Sequence, residues 1–228
     1  MGNLVSKRAA LEALSNTIHG YLNLGIYEVE KPLRQEIPTP QMDLSTLEQE
    51  VLQCKKCHLH KGITHYVFGE GDPHAELMFV GEAPGFYEDK QGKPFVGKAG
   101  QLLTKIINAM GMNRNEVYIG NILKCRPPEN RDPEEEEMKA CFPYLKDQIR
   151  LINPKLICAL GRYAAQKLSG SDLNISNLRG HVFYFEGIKL VPTFHPSYLL
   201  RNAKGKRSTW EDMKMILGIL GREVPNHG

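Results

Sequence analysis

Five cysteines carry the most constrained chemistry in this 228-residue chain. Cys54 and Cys57 form a C-x-x-C pair, and Cys125 and Cys141 follow further on. Cys158 lies inside the apolar run Leu156-Ile157-Cys158-Ala159-Leu160 and reads as a plain buried thiol. The other four are the number that closes a tetrahedral metal site or holds an iron–sulfur cluster. Charges early in the chain stand where a secretory signal peptide needs its apolar stretch, so a reducing, cytoplasmic compartment is expected, without disulfides. Cys57-His58 completes C-x-x-C-H, the c-type haem pattern, but that chemistry needs export and leaves Cys125 and Cys141 idle. Zinc and a [4Fe–4S] cluster both fit four thiolates, and spacing alone does not separate them. Either would pin the N-terminal loop to segment 125–141. Four unrelated buried cysteines are the plain alternative, disfavoured because a loop holding two thiolates side by side is costly without a metal.

A second set of polar residues falls at the ends of expected strands. Gly81-Glu82 follows the apolar run 76–80, Asn121 lies at the end of a run over 117–122, and His195 follows a pair of strands expected over 182–194. In open α/β sheets, ligands bind outside the carboxyl ends of the strands. Three polar groups from distant segments are therefore expected to share one cleft.

The elements that must position them alternate. Ser45-Thr46-Leu47-Glu48 reads as a capping box opening a helix toward Cys54. Amphipathic spacing predicts a helix over 98–110, stopped by Gly111. Asp132 reads as the cap of a helix with Pro133 at its first position, residues 162–168 as another helix, and Ser208 as the cap of the last. Strand–helix alternation predicts a three-layer α/β/α fold with a mainly parallel central sheet. A helix over 4–24 and a proline-bearing linker over 26–43 form an N-terminal helical extension, so we divide the chain into residues 1–43 and 44–228.

Hydrophobic residues make up 41% and charged residues 24%, enough apolar content for a core and too much for wholesale disorder. No apolar run is long enough to cross a membrane as a helix. Met1-Gly2 with Ser6 fits an acylation pattern too short to weigh. Residues 1–141 carry 16 Lys and Arg against 20 Asp and Glu, whereas residues 142–228 carry 13 against 6. That basic bias suits an anionic partner such as nucleic acid, although on charge alone solvated helix faces are the better explanation.

Three blocks together carry a resemblance. Gly81-Glu82-Ala83-Pro84-Gly85 with Glu88-Asp89 and Gly92-Lys93-Pro94-Phe95-Val96-Gly97 is the first. Asn121-Ile122-Leu123-Lys124-Cys125-Arg126-Pro127-Pro128 is the second, and His195-Pro196-Ser197-Tyr198-Leu199-Leu200-Arg201 the third. Together with the four cysteines they resemble the family 4 uracil-DNA glycosylases from about residue 45 to 220. The resemblance implies a [4Fe–4S] cluster on Cys54, Cys57, Cys125 and Cys141. It also implies hydrolysis of the bond joining uracil to deoxyribose in DNA. We expect a monomer acting on single- or double-stranded uracil-containing DNA, associated with the nucleoid through that DNA and not with a membrane.

A base inside a duplex must be flipped into a pocket to be cut. Phe95 would be the pocket floor, its ring stacking on the pyrimidine. Asn121 would read the uracil edge, accepting from N3–H and donating to O4, a pattern that cytosine reverses. His195 would stabilise charge developing on uracil O2 as a neutral donor, its tautomer open. The position of the Asp found in better-known uracil-DNA glycosylases holds Ala83, so Glu82 is the candidate for placing the water or stabilising the sugar cation. Glu88 would stand against uracil C5 and exclude thymine. Gly81, Ala83 and Gly85 would let backbone N–H groups approach the base. Leu199 resembles the wedge that fills the gap left by the flipped nucleotide. Ser197, Arg201, Lys204, Lys206 and Arg207 would hold the DNA beside it. Two rivals remain: a zinc-stapled module that binds nucleic acid without cleaving it, and a relative that becomes covalently linked to uracil. The latter carries a His-containing insert where this chain has Pro127-Pro128-Glu129-Asn130-Arg131-Asp132-Pro133.

Overall fold

A computed structural model describes residues 43–225, all within one compact unit, Pro32–Gly228. The expected helix over 4–24, the linker before residue 43 and the acylation pattern lie outside the described residues. Helix α1 (Leu44–Leu52), strands β1 (Glu70–Gly71) and β2 (Leu77–Gly81), helices α2 (Phe86–Gln91) and α3 (Lys98–Ala109) and strand β3 (Tyr118–Asn121) form the first part of the fold. They are followed by α4 (Glu135–Ile152), β4 (Leu156–Leu160), α5 (Arg162–Ser169), α6 (Ile175–Leu178), β5 (Phe183–Phe185), β6 (Ile188–Thr193), α7 (Pro196–Arg201) and α8 (Gly205–Ile219).

The strands make one sheet in the order β1-β3-β2-β4-β6-β5. The four central strands are parallel and the two edges antiparallel, as the alternation of elements predicts. Side chains alternate across each strand, so each central strand feeds two cores. Met78, Val80, Ile157 and Ala159 pack toward α1, α4 and α5. Leu77, Phe79, Leu156 and Cys158 pack toward α3 and α8. Cys158 is fully buried there, as expected of a structural thiol. Glu186 and Gly187, both at positive φ (48° and 81°), make the two-residue turn joining β5 to β6. No helix among the described residues is long and apolar enough to cross a membrane.

Three helix starts differ from expectation. Helix α1 begins before Ser45: Asp43 is its cap, and its carboxylate accepts from the Thr46 N–H at 2.7 Å. Helix α4 is capped by Glu134 in a reciprocal box with Glu137. Asp132 instead accepts from the Tyr163 hydroxyl at 2.6 Å and from Arg162 at 3.2 Å. Helix α8 starts at Gly205, which puts Ser208 inside its first turn. At α1 and α4 a neighbouring residue with the same local spacing takes the cap, satisfying N–H groups that the first turn leaves without a partner.

Candidate active site

The carboxyl ends of β2, β3 and β6 open onto a cavity of about 220 Å³. Its walls include Glu82, Ala83, Gly85 and Glu88, with Phe95, Asn121, His195 and Ser197. The three strand-end groups singled out by sequence therefore do converge. Gly81 ends β2 beneath them. A Cβ on Gly81 would stand 2.4 Å from the Asn121 Oδ1 and 2.6 Å from the Phe95 ring, so only glycine allows both side chains to close over this strand end. Gly161, at φ +87°, does the same for His195, whose Cβ would lie 2.9 Å from an added methyl.

Phe95 is buried and held at φ 51°, a left-handed conformation that is costly for a bulky residue. Such strain persists only where the surroundings enforce it. One enforcer is Glu88, whose Oε1 accepts from the N–H groups of Val96 (2.9 Å) and Gly97 (2.8 Å). Glu88 thus braces the loop that carries Phe95 while also lining the cavity. The Phe95 and His195 rings lie 5.7 Å apart, tilted by 36°.

Asn121 is 1% exposed, and its Oδ1 is the one buried side-chain oxygen or nitrogen without a hydrogen-bond partner among the described residues. A buried acceptor left unpaired costs roughly 1–3 kcal/mol, which a ligand donor would recover. The main chain of Asn121 is fixed from behind. The buried Lys124 ammonium, pushed down to about 8 by burial, donates to the Asn121 carbonyl at 2.8 Å and to Gln148 Oε1 at 2.5 Å.

His195 caps α7, and its Nδ1 accepts the Ser197 N–H at 3.1 Å, with the Ser197 hydroxyl 2.7 Å away. An Nδ1 that accepts a backbone N–H leaves the ring proton on Nε2. Burial also pushes the imidazole down to about 4, with Glu88 raising it and Arg201 lowering it further. Geometry and burial agree on a neutral ring with an Nε2–H to donate. Glu82 behaves oppositely: burial, reinforced by the Asp132 charge and opposed by Arg162, pushes its carboxyl up to about 7.

Two expectations change. Leu199 is 1% exposed, its side chain packed against Gly205, and it lines an apolar hollow between α3 and α8 with Ile106 and Trp210. A wedge role for Leu199 would require emptying that contact; Leu200, 51% exposed, is the free leucine of the pair. Ser197 faces His195 rather than open surface. Arg201, Lys204, Lys206 and Arg207 are exposed and form no ion pair among the described residues, as a phosphate-holding set requires. Sequence reading missed Asn130 and Arg131, which also line the cavity. Asn130 sits at φ 55° with its Oδ1 held by Arg126 at 2.7 Å, and Arg131 is clamped by the buried Glu137 carboxylate. Their signal was the proline-flanked loop 127–133, read only for its lack of histidine.

The four cysteines meet elsewhere. Cys54, Cys57, Cys125 and Cys141 line one small closed cavity with Leu59, Tyr66 and Tyr144. All are free thiols. Backbone N–H groups of Lys56 and Lys124 point at the Cys54 and Cys141 sulfurs, at 3.5 and 3.2 Å. Burial raises the Cys57, Cys125 and Cys141 thiols, Cys141 to about 11, and neighbouring thiols raise each further. Buried thiols that oppose one another's ionisation are the donor set that a metal or cluster satisfies, so the residues fit such a group. Among the described residues, the one His/Cys/Asp/Glu group within single-ion reach is His58, Glu134 and Glu137, beside this centre.

Residues 68–214 match the sequence profile of the Uracil DNA glycosylase superfamily. The chain belongs to that superfamily. The matched span holds the whole cavity wall together with Cys125 and Cys141, while Cys54 and Cys57 precede it. The chain is 46% identical over 182 residues to a type-4 uracil-DNA glycosylase of Sulfurisphaera tokodaii, covering 76% of this chain and 83% of that one. It is 43% identical to type-4 uracil-DNA glycosylases of Archaeoglobus fulgidus (80% of this chain, 96% of that one) and Thermotoga maritima (79% and 96%). The α/β/α architecture expected of the superfamily is the one described above.

Proposed function

We propose that this protein is a DNA-repair hydrolase that cuts the bond between uracil N1 and deoxyribose C1′, releasing uracil and leaving an abasic site. The observation that carries the reading is the unpaired Asn121 Oδ1, buried in a cavity between Phe95 and His195. Uracil N3–H is the donor that completes it. The amide's own NH₂ then serves O4, and cytosine, with its acceptor at N3 and donor at N4, is rejected at both positions. Phe95 stacks on the ring. As the C1′–N1 bond breaks, its electron pair moves into the base and charge gathers on O2. The His195 Nε2–H is in place for that charge beforehand, which favours the transition state over the ground state. Ionised Glu82 takes a proton from the water that bonds to C1′, and its raised affinity for protons suits a base working near neutrality.

Cys54, Cys57, Cys125 and Cys141 hold a [4Fe–4S] cluster in this reading. Four thiolates suit zinc as well, and the resemblance to the iron–sulfur glycosylases is what favours the cluster. When bound, the cluster supplies a cross-link between the α1 end, the β3 end and α4, remote from the base. Leu200 and the exposed cations after it meet the DNA.

The test is incubation with a single-stranded oligonucleotide carrying one deoxyuridine, followed by alkaline cleavage at abasic sites. Cleavage at that position, with free uracil recovered, is expected. Tight binding without uracil release would make the chain a holding module instead. A covalent adduct that survives denaturation would make it the cross-linking relative.

A further inference from the structure

We infer that Phe86 and Tyr87 form a stacking platform for an unpaired base adjacent to the flipped uracil, which directs the protein toward single-stranded or locally opened DNA. This rests on the uracil reading of the cavity. Phe86 and Tyr87 are 46% and 56% exposed, among the most exposed large apolar side chains described. They stand between Gly85 and Glu88, both in the cavity wall, so the platform is continuous with the pocket rim. Their ring centroids lie 5.4 Å apart at 84°. At that angle the edge of one ring points at the face of the other, and Tyr87, the more exposed of the two, keeps a face for a third ring.

The surroundings of the pair decide what the third ring is. The Arg126 guanidinium and the Lys90 ammonium lie over the Phe86 ring, 5.1 and 5.9 Å from its centroid, so Tyr87 offers the freer ring of the pair. Arg126 forms no ion pair among the described residues, and its Nε holds Asn130 in the cavity wall. Lys90 has Thr64 Oγ1 as a neighbour at 3.3 Å rather than a carboxylate. An exposed aromatic ring beside cations that pair with no carboxylate among the described residues suits a nucleobase followed by its phosphate. A paired base in a duplex has both faces covered by its neighbours, whereas an unpaired base offers one. The single-strand preference follows from that difference.

The experiment measures binding of single-stranded oligonucleotides that carry one deoxyuridine analogue resistant to hydrolysis. Its neighbours are either ordinary bases or base-free sugars. The wild-type protein is expected to bind the base-flanked strand about 5- to 150-fold more tightly, the range for stacking one base on an aromatic side chain. Phe86→Ala with Tyr87→Ala is expected to bind both strands alike, at the level of the base-free strand. Phe86→Tyr with Tyr87→Phe keeps both rings and is expected to keep the preference, which separates stacking from a fold defect. Equal wild-type binding to both strands, or a preference that survives the double alanine change, overturns the platform. Replacing the analogue by thymidine tests the pocket separately. A wild type that prefers flanking bases but ignores the change to thymidine overturns the uracil reading and leaves the platform standing.

Discussion

The cysteine centre and the strand-end cavity are built from opposite choices, although only three residues separate Asn121 from Cys125. The cysteine centre is closed, walled by apolar and aromatic side chains, and two of its sulfurs are met by backbone N–H groups. The cavity is open and polar and keeps its groups unsatisfied: an orphan amide oxygen, a carboxyl held near 7 and a neutral imidazole. Backbone strain follows the same division. Of the five non-glycine residues at positive φ among the described residues, Asn153 ends α4 and Glu186 makes a hairpin turn. Phe95, Glu129 and Asn130 belong to the cavity and its rim. One region holds the fold and the other carries its local cost, as expected where chemistry is done.

The largest effect should break the closed region. On the proposed ligand set, Cys141→Ala in α4 is expected to strip the metal and lower the melting temperature severely, since metal binding at such a site is part of the folding free energy. Cys158→Ala, in β4, should leave metal content unchanged and cost about 1 kcal/mol from the small cavity it creates. Metal analysis and thermal unfolding of both variants check this. A Cys158 variant without metal would overturn the ligand assignment.

The open region should break in activity while the fold holds. His195→Ala removes one donor to the leaving base and is expected to lower the single-turnover rate about 10²- to 10³-fold. Affinity for uracil-containing DNA should hardly change. A base analogue whose N1 is more acidic needs less help on departure, so the variant should recover part of its deficit on it. An equal deficit on both substrates would move His195 to the water or the sugar.

Next comes Gly81→Ala. Its methyl would collide with Asn121 and Phe95 and displace both, and displacement by a fraction of an ångström to 1 Å can cost about 10²-fold in rate. The Michaelis constant should rise as well, because the same two side chains bind the base. Unchanged kinetics would mean that the pocket floor relaxes freely, against the tight contacts described here.

The two regions also differ in how far sequence reveals them. The parallel strands were legible because strands buried on both faces are continuous apolar runs closed by glycine. From these runs the convergence of Glu82, Asn121 and His195 followed. Caps were less legible: Ser45, Asp132 and Ser208 each satisfy a local pattern, but Asp43, the Glu134–Glu137 pair and the early start of α8 take the role. The burial of Leu199 was no more legible, since it depends on Gly205 across a turn. The tautomer of His195 was settled by a single backbone N–H, that of Ser197, which no spacing rule could supply. Asn130 and Arg131 depend on Arg126 and Glu137, and their loop has no periodicity to read. What is set by runs and periodicity is legible, and what is set by which of several eligible neighbours makes one specific contact is not.

The smallest effect concerns Glu82 and proton concentration. If Glu82 must be ionised to act on water, kcat/KM should rise with pH up to about 7 and flatten above it, falling about tenfold per unit below. His195, neutral above about 4, adds no second limb in that range. The same carboxyl has an opposite effect on stability. Its folded value of about 7 lies above the ordinary 4.5, so between these two the native state binds more protons than the unfolded chain. The stability that comes from keeping it neutral is therefore complete below 4.5 and lost as pH rises through 7. Glu82→Gln keeps a neutral group of similar shape at all pH values. It should melt higher than wild type above pH 7 and alike near pH 4, while losing the pH-dependent rise in activity. A variant that melts no higher at pH 8 would mean that the carboxylate is well solvated in the open cavity, and the contrast between a satisfied centre and an unsatisfied pocket would then rest on Asn121 and Phe95 alone.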